Sequence, residues 1–248
     1  MAVNKVVYNA KVLIDLTSDT ITADKLANGV TAHDKSGTKI TGTLPVDELV
    51  NGEDYLATVM NKQCTELVNS KIKEIPSNFQ KGNTKLTKVV LDICTNIGES
   101  SFNGCTNVTE VKLPALTALG AGVFEKVNKV TSFYFPNLTT MNSWGYTFNQ
   151  CSGATRMYFP KLTNKIGSHD FDNCNQMTTL ILGASSVCTL GSTNAFTKTP
   201  IALYNNKVGY VYVPRALVDS YKSETNWSAY AAQIRAIEDY PSVLEGWE

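Results

Sequence analysis

The chain of 248 residues has no surplus of either charge: 22 Lys and Arg stand against 22 Asp and Glu. Without a basic excess there is little to displace counterions from a polyphosphate, so nucleic acid is not an expected partner. No apolar run approaches the roughly 20 residues that span a bilayer, so membrane insertion is not expected either. The opening "MAVNKVVYNAKVLIDL" has no basic start followed by an apolar block. It reads as a strand and not as a signal peptide, so export by a standard secretion route is not expected. There are only two histidines, His33 and His169, and six cysteines with no CxxC pair among them. Zinc and dithiol redox motifs are therefore missing. "LGAGVF" (119–124) is Gly-rich without GxGxxG spacing, which speaks against a nucleotide loop. "SHDFDN" (168–173) offers two carboxylates beside a Phe, far short of the six to eight oxygens that calcium takes. A solvated turn is the expectation there. No catalytic residues, metal site or cofactor are expected, and the chain does not read as an enzyme.

What the sequence does contain is a period. Phe79, Phe102, Phe124, Phe148, Phe171 and Phe196 follow one another at steps of 23, 22, 24, 23 and 25 residues. Periods in this range mark solenoids. An aliphatic residue precedes each Phe (Ile75, Ile97, Leu119, Met141, Ile166, Leu190), with Gly after it at Gly98, Gly120, Gly167 and Gly191. Each unit opens on an alternating strand whose inward pairs are Val89/Leu91, Val111/Leu113, Phe133/Phe135, Met157/Phe159 and Leu180/Leu182. Pro114, Pro136 and Pro160 end strands, where a missing backbone donor costs no ladder bond. One coil cannot bury its own apolar face, but stacked coils bury a continuous one. Three residues after the Phe stand Cys105, Val127, Cys151 and Cys174. A column that accepts Val predicts free, buried thiols acting as small apolar residues.

The units resemble the BspA-like leucine-rich repeat through "NIGESSFNGC" (96–105) and "KIGSHDFDNC" (165–174), over about residues 72–202. Unit two departs by Val127 for Cys, and unit three by an insertion around Trp144 that should bulge. The resemblance implies a leucine-rich-repeat solenoid: a parallel β-sheet with short turns and helices, closed by helical caps. It also implies binding in place of catalysis, in a family found in bacterial surface and phage tail proteins.

Solenoid ends need covering. Leu56, Met60, Cys64 and Leu67 have helical spacing, so a cap helix is expected over 53–69, within a linker-and-cap region 46–71. The solenoid proper is then 72–207, and 208–248 a C-terminal cap: a strand at 208–214 followed by helical turns with Trp227 and Tyr230 packing back. Residues 1–45 read as strand, strand, short helix (from Thr22 to about Ala27) and a hairpin turning at "DKSG" (34–37). This small α+β module cannot bury a robust core alone, and a homotrimer is expected from its self-association. "ITADKLANGVTAHDKSGTKITGT" (21–43) resembles an attachment or connector module of tail and fibre proteins in phages of gut Firmicutes.

The outward strand column is Val90, Lys112, Tyr134, Tyr158 and Ile181, with Lys88, Glu110, Ser132, Arg156 and Thr179 beside it. In-register coils bring Tyr134 and Tyr158 to about 4.8 Å in strand spacing. Tyr134, Tyr158, Arg156, Lys112 and Ile181 are the candidate binding residues, for a glycan or a protein. Cross-strand stabilisation of the sheet explains the same row equally well. The expected role is a tail-fibre or receptor-binding protein located in the virion, its partners other virion proteins and a host-surface glycan or protein. A virion or baseplate decoration protein without host binding, or a bacterial surface adhesin, are the alternatives.

Overall fold

The structure is a computed structural model that describes residues 5–8, 11–15, 22, 31–33, 36, 38–41, 64–142 and 144–247. The chain divides into two compact units, 1–61 and 62–248.

In the first unit, β1 (Lys5–Tyr8) pairs antiparallel with β2 (Lys11–Asp15), with a bulge between Val6 and Val7. β3 (Thr31–His33) pairs antiparallel with β4 (Lys39–Thr41), Ala32 opposite Ile40, as the hairpin reading of "DKSG" requires. The short helix expected from Thr22 to Ala27 lies outside the described residues.

The second unit is a solenoid whose coils present a strand wall, a back ladder and a turn wall. The strand wall contains β5 (Glu66–Asn69), β7 (Lys88–Leu91), β9 (Glu110–Lys112), β11 (Ser132–Tyr134), β13 (Arg156–Phe159), β14 (Thr179–Leu182), β15 (Tyr210–Val213) and β16 (Ile234–Ala236), all parallel where paired. The back ladder is β6 (Glu74–Ile75), β8 (Asn96–Ile97), β10 (Ala118–Leu119) and β12 (Thr140–Met141), and a separate bridge pairs Ile166 with Leu190. The prolines sit just past their strands, as their missing donors dictate.

The periodic Phe side chains fill the interior. Phe102, Phe124, Phe148, Phe171 and Phe196 are wholly buried, and successive rings stack at 5.9, 5.7, 5.7 and 5.4 Å with interplanar angles of 8°, 17°, 6° and 11°. Such offset stacks add to the burial of each ring. The last ring meets Trp227 at 5.6 Å and Tyr230 at 5.1 Å. Trp227 also donates its indole N–H to the Cys188 carbonyl at 2.7 Å. The 3-10 segment Trp227–Gln233 thereby packs on the last ring, and Tyr221 of the short helix Val218–Ser223 packs in turn on Trp227 at 5.3 Å.

Glycine in the back ladder answers a close approach. A Cβ on Gly120 would lie 2.6 Å from the backbone nitrogen of Glu99 in the preceding coil.

Four expectations are corrected. The cap helix cannot run to Asn69, because Glu66–Asn69 is a strand paired residue for residue with β7. Leu67 and Asn69 alternate inward there, a two-residue period that overrides the weak helical spacing; residues 53–63 lie outside the described residues. Pairing also starts the solenoid ahead of residue 72. Val111, expected inside, is only half-buried, unlike its neighbour Val89. The C-terminal region adds β16, which extends the sheet past the expected cap strand.

Candidate functional site

The strand wall is broken. β5, β7 and β9 form one sheet, and β11, β13, β14, β15 and β16 another. The back ladder runs across the same position without interruption, β10 pairing β12. The turn wall does so too, Phe124 donating its N–H to the Thr147 carbonyl at 2.8 Å. Adjacent coils are thus tied on two walls and parted on the third.

The residues beside the break differ from those of other coils. A threonine precedes each strand of this wall from β5 to β14, and four of these hydroxyls donate to the carbonyl of the threonine one coil back: Thr87 to Thr65 (2.9 Å), Thr109 to Thr87 (3.2 Å), Thr155 to Thr131 (3.1 Å) and Thr178 to Thr155 (3.4 Å). Among the described residues no such bond joins Thr131 to Thr109. The preceding corner differs as well. Cys105, Cys151 and Cys174 are not merely apolar fillers: each thiol donates to a carbonyl of the preceding coil at 3.1 Å. Each corner then closes with an N–H···O bond, Val108 to Cys105, Ala154 to Cys151 and Met177 to Cys174. Val127 has no donor to give, and no bond closes from Val130 to Val127 among the described residues.

A cavity of about 300 Å³ opens at this break. Its apolar lining includes Val90, Val111, Leu113 and Val130, with Tyr134 and Trp247 on one side and Glu110 and Lys112 at the rim. Opening of the wall is what leaves Val111 half-exposed. Glu110 bridges Lys88 at 3.1 Å and Lys112 at 3.6 Å; the neighbouring lysines hold its carboxyl below its usual pKa.

Of the five candidate residues, the structure brings three together. Tyr134 and Tyr158 are register partners and stack at 5.4 Å with their planes 15° apart. Arg156 lies two pairs along the same two strands, on the same face and opposite Ser132. Burial raises the Tyr158 phenol, helped by its neighbour Tyr134, and lowers the Arg156 guanidinium. Lys112 belongs to the other sheet, across the break. Ile181 is not available: it is paired between Tyr158 and Tyr212 and is wholly buried.

The row is also not open. The chain returns over it after β16, through the 3-10 turn Pro241–Leu244. Arg156 donates through one Nη to the carbonyls of Val243 (3.0 Å) and Glu245 (2.7 Å), and its guanidinium lies 3.8 Å from the centre of the Trp247 indole. The indole packs on Tyr134 at 5.8 Å and Tyr158 at 5.5 Å, and its N–H donates to the Val243 carbonyl at 2.8 Å. Trp247 is the residue that sequence reading misses. Its signal in the sequence is a lone Trp beyond the last strand, at a position that no period assigns.

The turn at 168–173 is corrected too. Asp170 is buried, not solvated, and accepts the backbone N–H groups of Thr147 (2.8 Å) and Gly167 (2.6 Å). Burial pushes its carboxyl up to about 6 against those donors. Asp172 instead meets His169 at 3.1 Å, and His169 stacks on Tyr146 at 5.0 Å. Trp144, in the insertion, is 82% exposed. All six cysteines are free, and burial raises Cys94 to about 11 and Cys188 to about 12, values at which thiolate chemistry is suppressed. Among the described residues, no three His, Cys, Asp or Glu side chains gather to hold a metal ion, and no helix is long and apolar enough to cross a membrane.

The family described as BspA type leucine rich repeat region matches residues 68–202 in six copies. Among solved structures, the chain is similar to a leucine-rich repeat protein of T. pallidum, with 16% identity, 63% of this chain and 81% of that chain covered, and a TM-score of 0.43. No curated protein matches.

Proposed function

Since the chain belongs to the BspA-type leucine-rich repeat family, whose repeats serve binding to proteins or surfaces, we propose that it is a tail-fibre or receptor-binding component of a phage virion. In this reading the module of residues 1–45 attaches to the virion and associates as a homotrimer. The solenoid meets the host surface, or a partner protein, through its strand wall. The observation that carries the binding role is the break in that wall, which sets an apolar cavity beside a stacked tyrosine pair and an arginine. Apolar concavity with a few fixed polar groups is the usual form of a recognition site. The virion placement is supported by the likeness of residues 21–43 to phage attachment modules, and free thiols suit assembly in a reducing cytoplasm.

The test is to label the purified chain and image it on a panel of gut Firmicutes. Decoration of some strains is expected, with loss on joint substitution Tyr134→Ser and Tyr158→Ser. A second reading, a decoration protein bound only to other virion proteins, is favoured by one observation: the tyrosine row is already covered by the chain's own tail. Failure to label any strain while the fold is intact would select it. Light scattering on the same sample is expected to give a trimer; a monomer at micromolar concentration removes assembly through the first unit.

A further inference from the structure

The segment 241–247 differs from every other covering element of the solenoid. The helical turns at 218–233 bury Tyr221, Trp227 and Tyr230. Not one residue of 241–247 is buried, and Leu244 is 41% exposed. What seats it is a small set of specific contacts: one arginine reaching two carbonyls, and one indole against two phenols and a guanidinium. That is the pattern of a bound peptide, with an aromatic anchor and a charged donor to main-chain oxygen.

The contacts also define what is recognised. The carbonyls lie two and four residues before the Trp, and the indole N–H closes back on the farther one. Arg156 therefore reads a turn whose carbonyls at positions −4 and −2 converge with an indole at position 0. A flat ring alone meets the tyrosines but leaves the guanidinium donors unpaired. Beyond the indole lies the cavity at the break, with Val90, Val111, Leu113 and Val130 on its walls. The tail reaches only its edge, through Gly246 and Trp247.

We propose that Tyr134, Tyr158 and Arg156 form a binding site for a tryptophan-bearing turn of a partner protein, and that residues 243–247 are its built-in occupant, displaced when the partner binds. The inference rests on the strand wall being the binding wall. Tethering gives the tail an effective concentration on the order of millimolar. A partner prevails by adding what the tail does not supply, an apolar side chain placed in the cavity next to its indole. The tail thus sets a threshold that admits only segments matching both the turn and the cavity.

The probe is a fluorescently labelled synthetic peptide of residues 240–248, YPSVLEGWE, titrated by anisotropy into the full chain carrying Trp247→Ser. The variant is expected to bind at least tenfold more tightly than the unaltered chain. Adding Arg156→Gln to the variant, or replacing the Trp of the peptide by Ser, is expected to remove that gain. Equal binding by the variant and the unaltered chain, no binding by the variant, or indifference to Arg156→Gln would each overturn the proposal. Unfolding midpoints of all chains are measured alongside. A second measurement does not depend on Trp247→Ser folding: Arg156→Gln alone should speed chymotryptic cleavage after Leu244 at least tenfold, and unchanged cleavage overturns the seating. A chain that decorates cells but whose Trp247→Ser form ignores the peptide defeats this inference and leaves host binding standing. A chain that binds the peptide and decorates no cell does the reverse.

Discussion

The turn wall and the strand wall are built by the same coils, yet only one is continuous. On the turn wall, each Phe donates its N–H to the next coil without a gap: Phe102 to Val123, Phe124 to Thr147, Phe148 to Asp170 and Phe171 to Ala195, at 2.8 to 3.0 Å. On the strand wall the sheet stops at β9 and resumes at β11. The stack of rings behind the turn wall holds the coils together, so the strand wall can part without the solenoid coming apart. A repeat protein has nearest-neighbour stability, and here one neighbour contact out of three is relinquished at a single step. The cavity occupies that step.

The largest effect that sharpens this contrast is expected from the ring stack. Phe148 lies between Phe124 and Phe171 and also meets Phe133, Phe135 and Phe159. Phe148→Ala should cost about 3–5 kcal/mol, the usual range for a buried Phe whose cavity cannot collapse. Denaturant unfolding measures it. A cost near that of an exposed residue would mean that the turn wall does not carry the stack.

Asp170 comes next, on the same wall. Its carboxyl is raised from an ordinary 3.8 to about 6 by burial. The folded chain therefore holds the proton more tightly than the unfolded one, and its stability is highest, with respect to this group, below pH 3.8. That contribution, on the order of 3 kcal/mol, is lost as pH climbs through about 6. Urea midpoints at pH 4.5 and pH 7 should show the loss in the unaltered chain relative to Asp170→Asn. Parallel pH profiles in the two chains would refute it.

Two glycines separate close approach from conformational need. A Cβ on Gly120 would press on the backbone of Gly98 and Glu99, while at Gly82 (φ +75°) nothing lies within 4 Å. Gly120→Ala should cost about 2–3 kcal/mol through overpacking between coils, and Gly82→Ala about 1 kcal/mol through its left-handed backbone alone. Thermal unfolding of both ranks them, and equal costs would mean that the close approach at Gly120 adds nothing.

The stack of Phe rings and the register of Tyr134 on Tyr158 were legible in the sequence because a winding of near-constant length converts spacing into contact. The break was not. Unit two keeps its alternation, so Val111 and Leu113 read like any inward pair, and pairing between coils depends on a corner that spacing does not describe. Val127 was visible as a departure, but its consequence requires knowing that the column's thiols donate hydrogen bonds. Ile181 was misplaced for a related reason. Alternation says which side of a sheet a residue faces, and says nothing of whether large neighbours such as Tyr158 and Tyr212 bury it there. The helical spacing at 56, 60, 64 and 67 failed at its end because Leu67 and Asn69 obey a two-residue period equally well, and pairing with β7 decides between them.

The smallest effect asks whether the missing thiol makes the break. Val127→Cys places a donor where Cys105, Cys151 and Cys174 each have one, within reach of a carbonyl of the preceding coil. A bond of that kind contributes about 1 kcal/mol, but Cys is smaller than Val by about one methylene, and at this buried position the lost packing offsets much of the gain. If the corner at 127–130 then closes like its counterparts, Thr131 comes into line with Thr109 and the strand wall gains a ladder. Two readouts follow. Any gain in denaturant should stay below about 1 kcal/mol, and amide exchange along 131–134 should slow towards that of 156–159, whose strand is paired on both sides. The converse substitution, Cys151→Val, should loosen the corner after Phe148 by a similar amount and begin to part β11 from β13. Stability that rises in the first variant without slower exchange would mean that the thiol anchors the corner while something else, such as Trp247 at the cavity edge, holds the two sheets apart.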